Sequence, residues 1–401
     1  MHRKLLLSLS VLLIAFASCK KEAKIVELPD AVFPQQNDSV DQLKINQVQV
    51  IGSHNSYRTR TYQPIYDFVQ DLFAQGVISG NLNPNGWDYT HESLPKQLGA
   101  YGMRALEIDI YEDAQGGRFY NRGGLFFLEE PVASNLPELN EPGFKVLHIP
   151  DVDYNTHHLT FKDALRTIKS WTAQNPNHLP IFIQIESKTE TVHDQVPLTN
   201  LTPSQPYSLS SADALDAEVK EVYGNDLEGV ITPDDVRGTF LTLREAVLAG
   251  NWPTLAEARG KVIFMMEGDL VSFYKQNHPS LSGRAMFTFA DPNDDEAAFV
   301  ILNNPINAFS QIQQAVMQGF IVRTRADGDT DEARTGDYTK MNAAFESGAQ
   351  IISTDYYRPD PRYKTEPENW TDYKVAFPDG RTKRINPVSA SDKVSLGIIT
   401  E

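Results

Sequence analysis

Ala105-Leu106-Glu107-Ile108-Asp109-Ile110 is an apolar run broken only by two carboxylates two positions apart. A strand has a side-chain period of two, so Glu107 and Asp109 share one face and the aliphatic residues fill the other. Apolar character on both flanks fits a parallel strand covered on both sides. Comparable runs lie at 47–51, 144–149, 179–185, 261–266, 285–289, 319–324 and 350–353, which makes eight with 105–110. Helical patterns fall at 63–75, 93–101, 160–173, 242–249, 307–318 and 338–347. The third opens on Thr160 as N-cap and sets Phe161, Leu165, Ile168 and Trp171 on one face. Eight strands alternating with helices predict an α/β fold, a single TIM-like (β/α)8 barrel over residues 44–358 with loop insertions at 116–143 and 189–230. No internal repeat is evident.

The composition narrows the function. Of 401 residues, 41% are hydrophobic and 22% charged, the balance of a folded chain. Asp and Glu outnumber Lys and Arg by 53 to 36, and a net charge of -17 excludes a nucleic-acid partner held by phosphate neutralisation. A single cysteine, Cys19, excludes disulfide frameworks and thiolate metal sites. It follows a basic start (Arg3, Lys4), an apolar stretch over 5–15 and the small residues Ala17 and Ser18. That stretch is too short to span about 30 Å of hydrocarbon. It resembles a bacterial lipoprotein signal over residues 1–18 with Cys19 as the lipidated residue, followed by a polar tether over 19–43. The expectation is an exported, membrane-anchored monomer. Residues 359–401, with Pro359, Pro361, Pro367, Pro378 and Pro387, are expected to extend along the barrel rather than form a second domain.

In a barrel of this kind the chemistry sits at the C-terminal ends of the strands. The first strand leads into Gly52-Ser53-His54-Asn55-Ser56-Tyr57, the second carries Glu107 and Asp109, the third ends Leu147-His148-Ile149, and the fourth ends Ile185-Glu186-Ser187-Lys188. Four neighbouring strands thus deliver two imidazoles, an amide and three carboxylates to one height, and buried charge of that density requires a partner such as a cation. Asn55, Glu107, Asp109 and Glu186 offer only oxygen, the donor set a hard divalent ion selects, and calcium tolerates its irregularity better than magnesium. His54 and His148 then suit proton transfer. A zinc site built on the two histidines is the competing reading.

In order and position these residues resemble the catalytic half of the calcium-dependent phosphoinositide-specific phospholipases C, most nearly the secreted bacterial branch. That branch shares stretches such as Gly52–Tyr57, Thr324-Arg325-Ala326-Asp327 and Ser353-Thr354-Asp355-Tyr356. The resemblance implies Ca2+ held by Asn55, Glu107, Asp109 and Glu186, and a phosphoinositide or related phosphodiester lipid as partner. It also implies intramolecular attack by the inositol 2-hydroxyl, which yields diacylglycerol and a cyclic inositol phosphate. By this resemblance His54 serves the first proton transfer or the pentavalent phosphorus and His148 acts as acid for the leaving oxygen, with Glu107 an alternative base. Arg323 fits the family's inositol-phosphate arginine. Arg325 stands where animal members place a tyrosine, and either contacts phosphate or pairs with Asp327 or Asp329. Tyr357 is a ring-stacking candidate and Lys188 a phosphate contact. The fifth strand ends Met265-Met266-Glu267-Gly268 where animal members carry lysine, against a preference for polyphosphorylated rings.

Two other readings remain open at this stage. A glycerophosphodiester phosphodiesterase shares the barrel and the Glu-x-Asp pair, but its first strand usually ends His-Arg. A non-catalytic lipid- or glycan-binding lipoprotein predicts a damaged acid set, and none of the six positions is damaged. Cys19→Ala is expected to leave the barrel folded and to move the protein from the membrane fraction to the soluble one, since the anchor is lost. Unchanged fractionation would refute the lipoprotein reading.

Overall fold

Eight parallel strands form a ring in the computed structural model, which describes residues 38–401. They are β1 (Val48–Ser53), β2 (Ala105–Tyr111), β4 (Ile181–Ser187), β5 (Val262–Gly268), β6 (Phe287–Thr288), β7 (Phe299–Ile301), β8 (Ile321–Arg325) and β9 (Ile351–Thr354). Hydrogen bonding runs β6-β5-β4-β2-β1-β9-β8-β7, and a parallel bridge between Phe289 and Phe299 joins the two ends. Two further strands lie off this path: β3 (Lys145–Val146) pairs antiparallel with β2, and β10 (Lys383–Ile385) antiparallel with β1. The predicted signal, Cys19 and the tether up to residue 37 lie outside the described residues.

The expected helices form as α1 (Gln63–Ala74), α2 (Leu94–Gly99), α3 (Phe161–Gln174), α5 (Leu243–Leu248), α6 (Phe309–Met317) and α7 (Thr339–Ser347). Thr160 caps α3 by accepting from the Asp163 amide, and Phe161, Ala164, Leu165 and Ile168 are buried while Trp171 is half-buried against the same core. The outward faces of the strands pack on these helices. In β2 that face is Leu106, Ile108 and Ile110, all in the main apolar cluster.

Two expectations need correction. The run 144–149 is not a stave of the barrel. Its apolar residues Phe144 and Val146 belong to the main core, but the chain turns back at once, with Ile149 and Asp153 exchanging backbone hydrogen bonds around Asp151 at φ 71°. The missing stave is β7, three residues long and preceded by the acidic loop 291–296. The insertion 189–230, expected as a loop, contains the 15-residue helix α4 (Leu209–Tyr223). It is capped by Ser208 and buries Leu215, Val219 and Val222.

The first two staves approach each other at Gly52 and Ala105, where a Cβ on Gly52 would lie 2.3 Å from Ala105 Cβ and 2.6 Å from Ala105 O. Only a glycine permits this approach. Gly52→Ala is expected to destabilise the fold by about 1–3 kcal/mol, the usual cost of overpacking, read as a lower denaturant midpoint. An unchanged midpoint would mean that β1 and β2 can separate freely.

Candidate active site

The strand register dictates where charge gathers. Asp109 of β2 is level with Glu186 of β4, and Glu186 with Glu267 of β5. Side chains alternate along a strand, so level residues in adjacent parallel strands lie side by side at the mouth of the barrel. Glu107, one side-chain repeat deeper, completes the set. Oxygens of Glu107, Asp109 and Glu186 lie within 4.8 Å of one another, the one group among the described residues able to hold a metal ion, and it contains no histidine.

These acids divide the available cations. Glu107 Oε2 accepts from Arg323 at 2.6 Å, and Lys188 Nζ sits 2.5 Å from Asp109 Oδ2 and 3.4 Å from Glu186 Oε2. Burial drives the Glu107 carboxyl upward, but Arg323 and His54 outweigh it and hold it below the ordinary value. For Asp109 burial wins, with Glu186 and Glu107 adding to it against Lys188, and its pKa lies well above the ordinary value. Burial, opposed by Arg323 and reinforced by Glu107 and Glu186, pushes Glu267 up to about 8.

Asn55 follows His54 at the end of β1 with φ 47°, a left-handed conformation that asparagine tolerates better than most residues. Its amide nitrogen donates to Tyr89 Oη at 3.1 Å, and its buried Oδ1 has no hydrogen-bond partner. A buried carbonyl oxygen without a donor, in the cleft that Glu107 and Glu186 also line, fits a hard cation with oxygen ligands. The set Asn55, Glu107, Asp109 and Glu186 therefore suits Ca2+.

Each histidine is wired to its own aspartate. His54 Nδ1 lies 2.8 Å from Asp355 Oδ1, while Asp355 Oδ2 accepts from Arg325 at 2.8 Å. His148 Nδ1 lies 2.7 Å from Asp153 Oδ2, which also accepts from Arg58 Nε at 2.7 Å. A carboxylate acceptor fixes Nδ1 as the protonated nitrogen of each ring and leaves Nε2 to do chemistry. His54 Nε2 stands 3.6 Å from Glu107. Burial, then the Lys188 charge, lowers the His148 pKa to about 4, so it is neutral near pH 7. Against the pull of burial, Arg58 and His148 hold Asp153 well below the carboxylate range, and His54 and Arg325 do the same for Asp355.

His54, Asn55, Glu107, His148, Glu186, Lys188, Arg323 and Arg325 line one cleft of 590 Å³, with Asp109 buried beneath it. Tyr357 is not brought to this cleft. It is 7% exposed, stacks on His91 with centroids 5.3 Å apart and accepts from the Glu92 amide, because the chain after β9 packs inward on an aromatic cluster. His148 reaches the cleft from the turn after β3 rather than from a stave. Arg325 pairs with Asp355, not with Asp327 or Asp329. Sequence reasoning missed Asp153, Asp355, Arg58 and Tyr89. Asp355, the residue after β9, was open to the strand-end rule, whereas Asp153 and Arg58 carry no pattern.

A cation site flanked by two oriented imidazoles at the mouth of a parallel barrel is suited to phosphoric diester cleavage. Comparison with known proteins makes the class specific: residues 43–387 match the family described as phosphoinositide phospholipase C, Ca2+-dependent. The chain belongs to that family. Among solved structures it is similar to a calcium-dependent phosphoinositol-specific phospholipase C from a Pseudomonas species, with 14% identity, 86% of this chain and 96% of that one covered, and a TM-score of 0.49. It is also similar to a Ca2+-dependent phosphatidylinositol-specific phospholipase C from Streptomyces antibioticus, with 15% identity, 79% and 95% covered, and a TM-score of 0.46. A stretch of 150 residues is 26% identical to ubiquitin C-terminal hydrolase 13 of Arabidopsis thaliana, covering 36% of this chain and 13% of that protein's length.

The Arg58–Asp153 pair is fully buried, and removing one partner of such a pair strands the other charge. Asp153→Asn is expected to cost about 3–5 kcal/mol of stability, measured by denaturant unfolding. A loss below about 1 kcal/mol, the level of an exposed pair, would show that Arg58 finds another acceptor.

Proposed function

We propose that this chain is a Ca2+-dependent phospholipase C that cleaves phosphatidylinositol-type lipids into diacylglycerol and a cyclic inositol phosphate. The observation that carries the reading is one cleft that brings the unpartnered Asn55 oxygen and the acid cluster of Glu107, Asp109 and Glu186 together with two histidines, each held by its own aspartate. The family match favours neither the glycerophosphodiester reading nor the non-catalytic one.

Asn55, Glu107, Asp109 and Glu186 would hold the ion, which supplies positive charge for the phosphoryl oxygens. Arg323 and Arg325 add fixed charge on the side of the cleft facing β8. His54, with Nδ1 protonated and tied to Asp355, presents a basic Nε2 that takes the proton of the inositol 2-hydroxyl as its oxygen bonds to phosphorus. The bond from phosphorus to the glycerol oxygen breaks, and that oxygen receives its proton from His148. Burial keeps His148 neutral in the free enzyme, and a phosphodiester anion beside it favours the protonated form this step requires. Asp355 and Asp153 are positioning residues that hold ring orientation and tautomer. Lys188 keeps its charge next to the acid cluster, within reach of a phosphate oxygen. Glu267 supports a preference for an inositol ring without added phosphates.

The proposal extends to location. A lipid on Cys19 would anchor a monomeric, exported enzyme at the membrane that holds its substrate. The support is the order of basic, apolar and small residues before Cys19. Among the described residues no helix is long and apolar enough to cross a membrane.

Product analysis over time tests the reaction. With phosphatidylinositol and Ca2+, a cyclic inositol phosphate should precede any open-chain phosphate, excess chelator should abolish turnover, and phosphatidylcholine should be inert. His54→Ala and His148→Ala should each lose at least about 100-fold, the contribution of one positioned acid or base. Full activity in chelator, or open-chain product without a cyclic precursor, would overturn the proposal.

A further inference from the structure

The cleft has two unlike sides. Toward His54 it is lined by Arg323, Arg325, Asn303 and Glu267, all polar. Toward His148 its lining includes Leu82, Trp87 and Ile149 beside the polar Asn83 and Lys188, and the Trp87 ring meets the His148 ring edge-on with centroids 6.0 Å apart. These three residues belong to an apolar cluster separate from the main core, built from α1, the turn at Gly123–Leu128 and the loop after β4. Each of these segments follows a strand of the barrel, so the cluster sits on the catalytic face.

Within this cluster is a second hollow of 270 Å³, lined by thirteen residues of which none is polar. Leu82 lines both it and the cleft, and Ile78, Val192 and Val196 in its wall are each within two residues of Gly80, Thr191 and Gln195 in the wall of the cleft. A cavity lined only by aliphatic and aromatic groups stays dry and takes apolar guests, and one of about 150 Å³ already holds a benzene. Val77 and Leu198, which line this hollow, are 51% and 43% exposed, and Phe126 nearby is 54% exposed. Internal packing does not require so much exposed apolar surface around a hollow.

We infer that this hollow binds an acyl chain of the lipid being cleaved. The inference rests on the phospholipase reading above and deepens it. In that reading His148 protonates the glycerol oxygen, so the diacylglycerol half of the substrate must lie on the His148 side, and that is the side on which the hollow adjoins the cleft. The headgroup is recognised by charge on one side and the chain by burial on the other. The enzyme therefore draws one chain into protein before the phosphorus is attacked.

Monomeric substrates separate chain binding from membrane contact. The series runs from inositol phosphate methyl ester, which has the reacting diester and no chain, to dibutyroyl, dihexanoyl and diheptanoyl phosphatidylinositol below their aggregation thresholds. For the unaltered enzyme kcat/KM should rise by about threefold or more per buried methylene. Leu198→Trp and Val196→Phe narrow the hollow and should flatten that rise. Phe127→Ala enlarges it and should move the best chain length upward, which keeps the test alive if a filling variant does not fold. Parinaric acid, whose fluorescence increases in an apolar site, should bind the unaltered protein saturably in chelator and lose affinity in both narrowing variants. A flat chain-length series, or variants that keep the original slope, would overturn the inference. An effect of the variants confined to vesicles would also overturn it, since the apolar surface would then be a membrane contact only. No turnover of any inositol diester would instead refute the phospholipase reading, and parinaric acid binding would still decide the fate of the hollow.

Discussion

The structure depends on how a parallel register concentrates carboxyl groups at the mouth of the barrel. Asp109, Glu186 and Glu267 stand level on three adjacent staves, with Glu107 one repeat below, and no slip of a single strand could relieve them without exchanging its core face for its lumen face. Burying isolated carboxylates is prohibitively costly, so every cation nearby is committed: Arg323 to Glu107 and Lys188 to Asp109 and Glu186. The same crowding that destabilises the mouth suits it to a hard cation.

Around this cluster the fold repeats one device with different supports. Asp355 follows directly on β9 and is held in place by Arg325, which donates to its carboxylate, and by its own backbone amide, which donates to Asp327 Oδ1. Asp153 lies in an irregular turn and owes its position to a fully buried Arg58, which also donates to Tyr89 O and Thr61 Oγ1. One imidazole is thus aligned by the sheet and the other by a loop with its own ion pair. That difference places His148 next to the apolar lining and His54 next to the guanidinium groups.

The sequence makes the architecture and the acid set legible because both follow from periodicity. A carboxylate pair at spacing two inside an aliphatic run has few other readings, and Glu186 sits where a strand-end rule looks for it. What resists reading is short or solitary. A stave of three residues such as β7 has no pattern of its own, whereas 144–149 has the apolar content of a stave and spends it on a hairpin with β2. The helix α4 hides in a stretch whose Ser, Thr and Asp content suggests a loop, although Leu215, Val219 and Val222 already mark its buried side. Asp153 and Arg58 are single residues whose partners lie 5 and 95 positions away, and only the folded chain brings them together.

The antiparallel pairing of β10 with β1 has a temporal meaning. Val48, Gln49 and Val50 take their partners from Ile385, Arg384 and Lys383, more than three hundred positions later in the chain. β1 thus waits for a strand made more than three hundred residues later, and loop closure over that distance is slow. Until residue 385 is available, the first stave presents an unpaired backbone edge, the kind of edge on which chains associate wrongly. This pairing is therefore a late event in folding, and factors that hold the nascent chain extended until residue 385 is made would protect this edge.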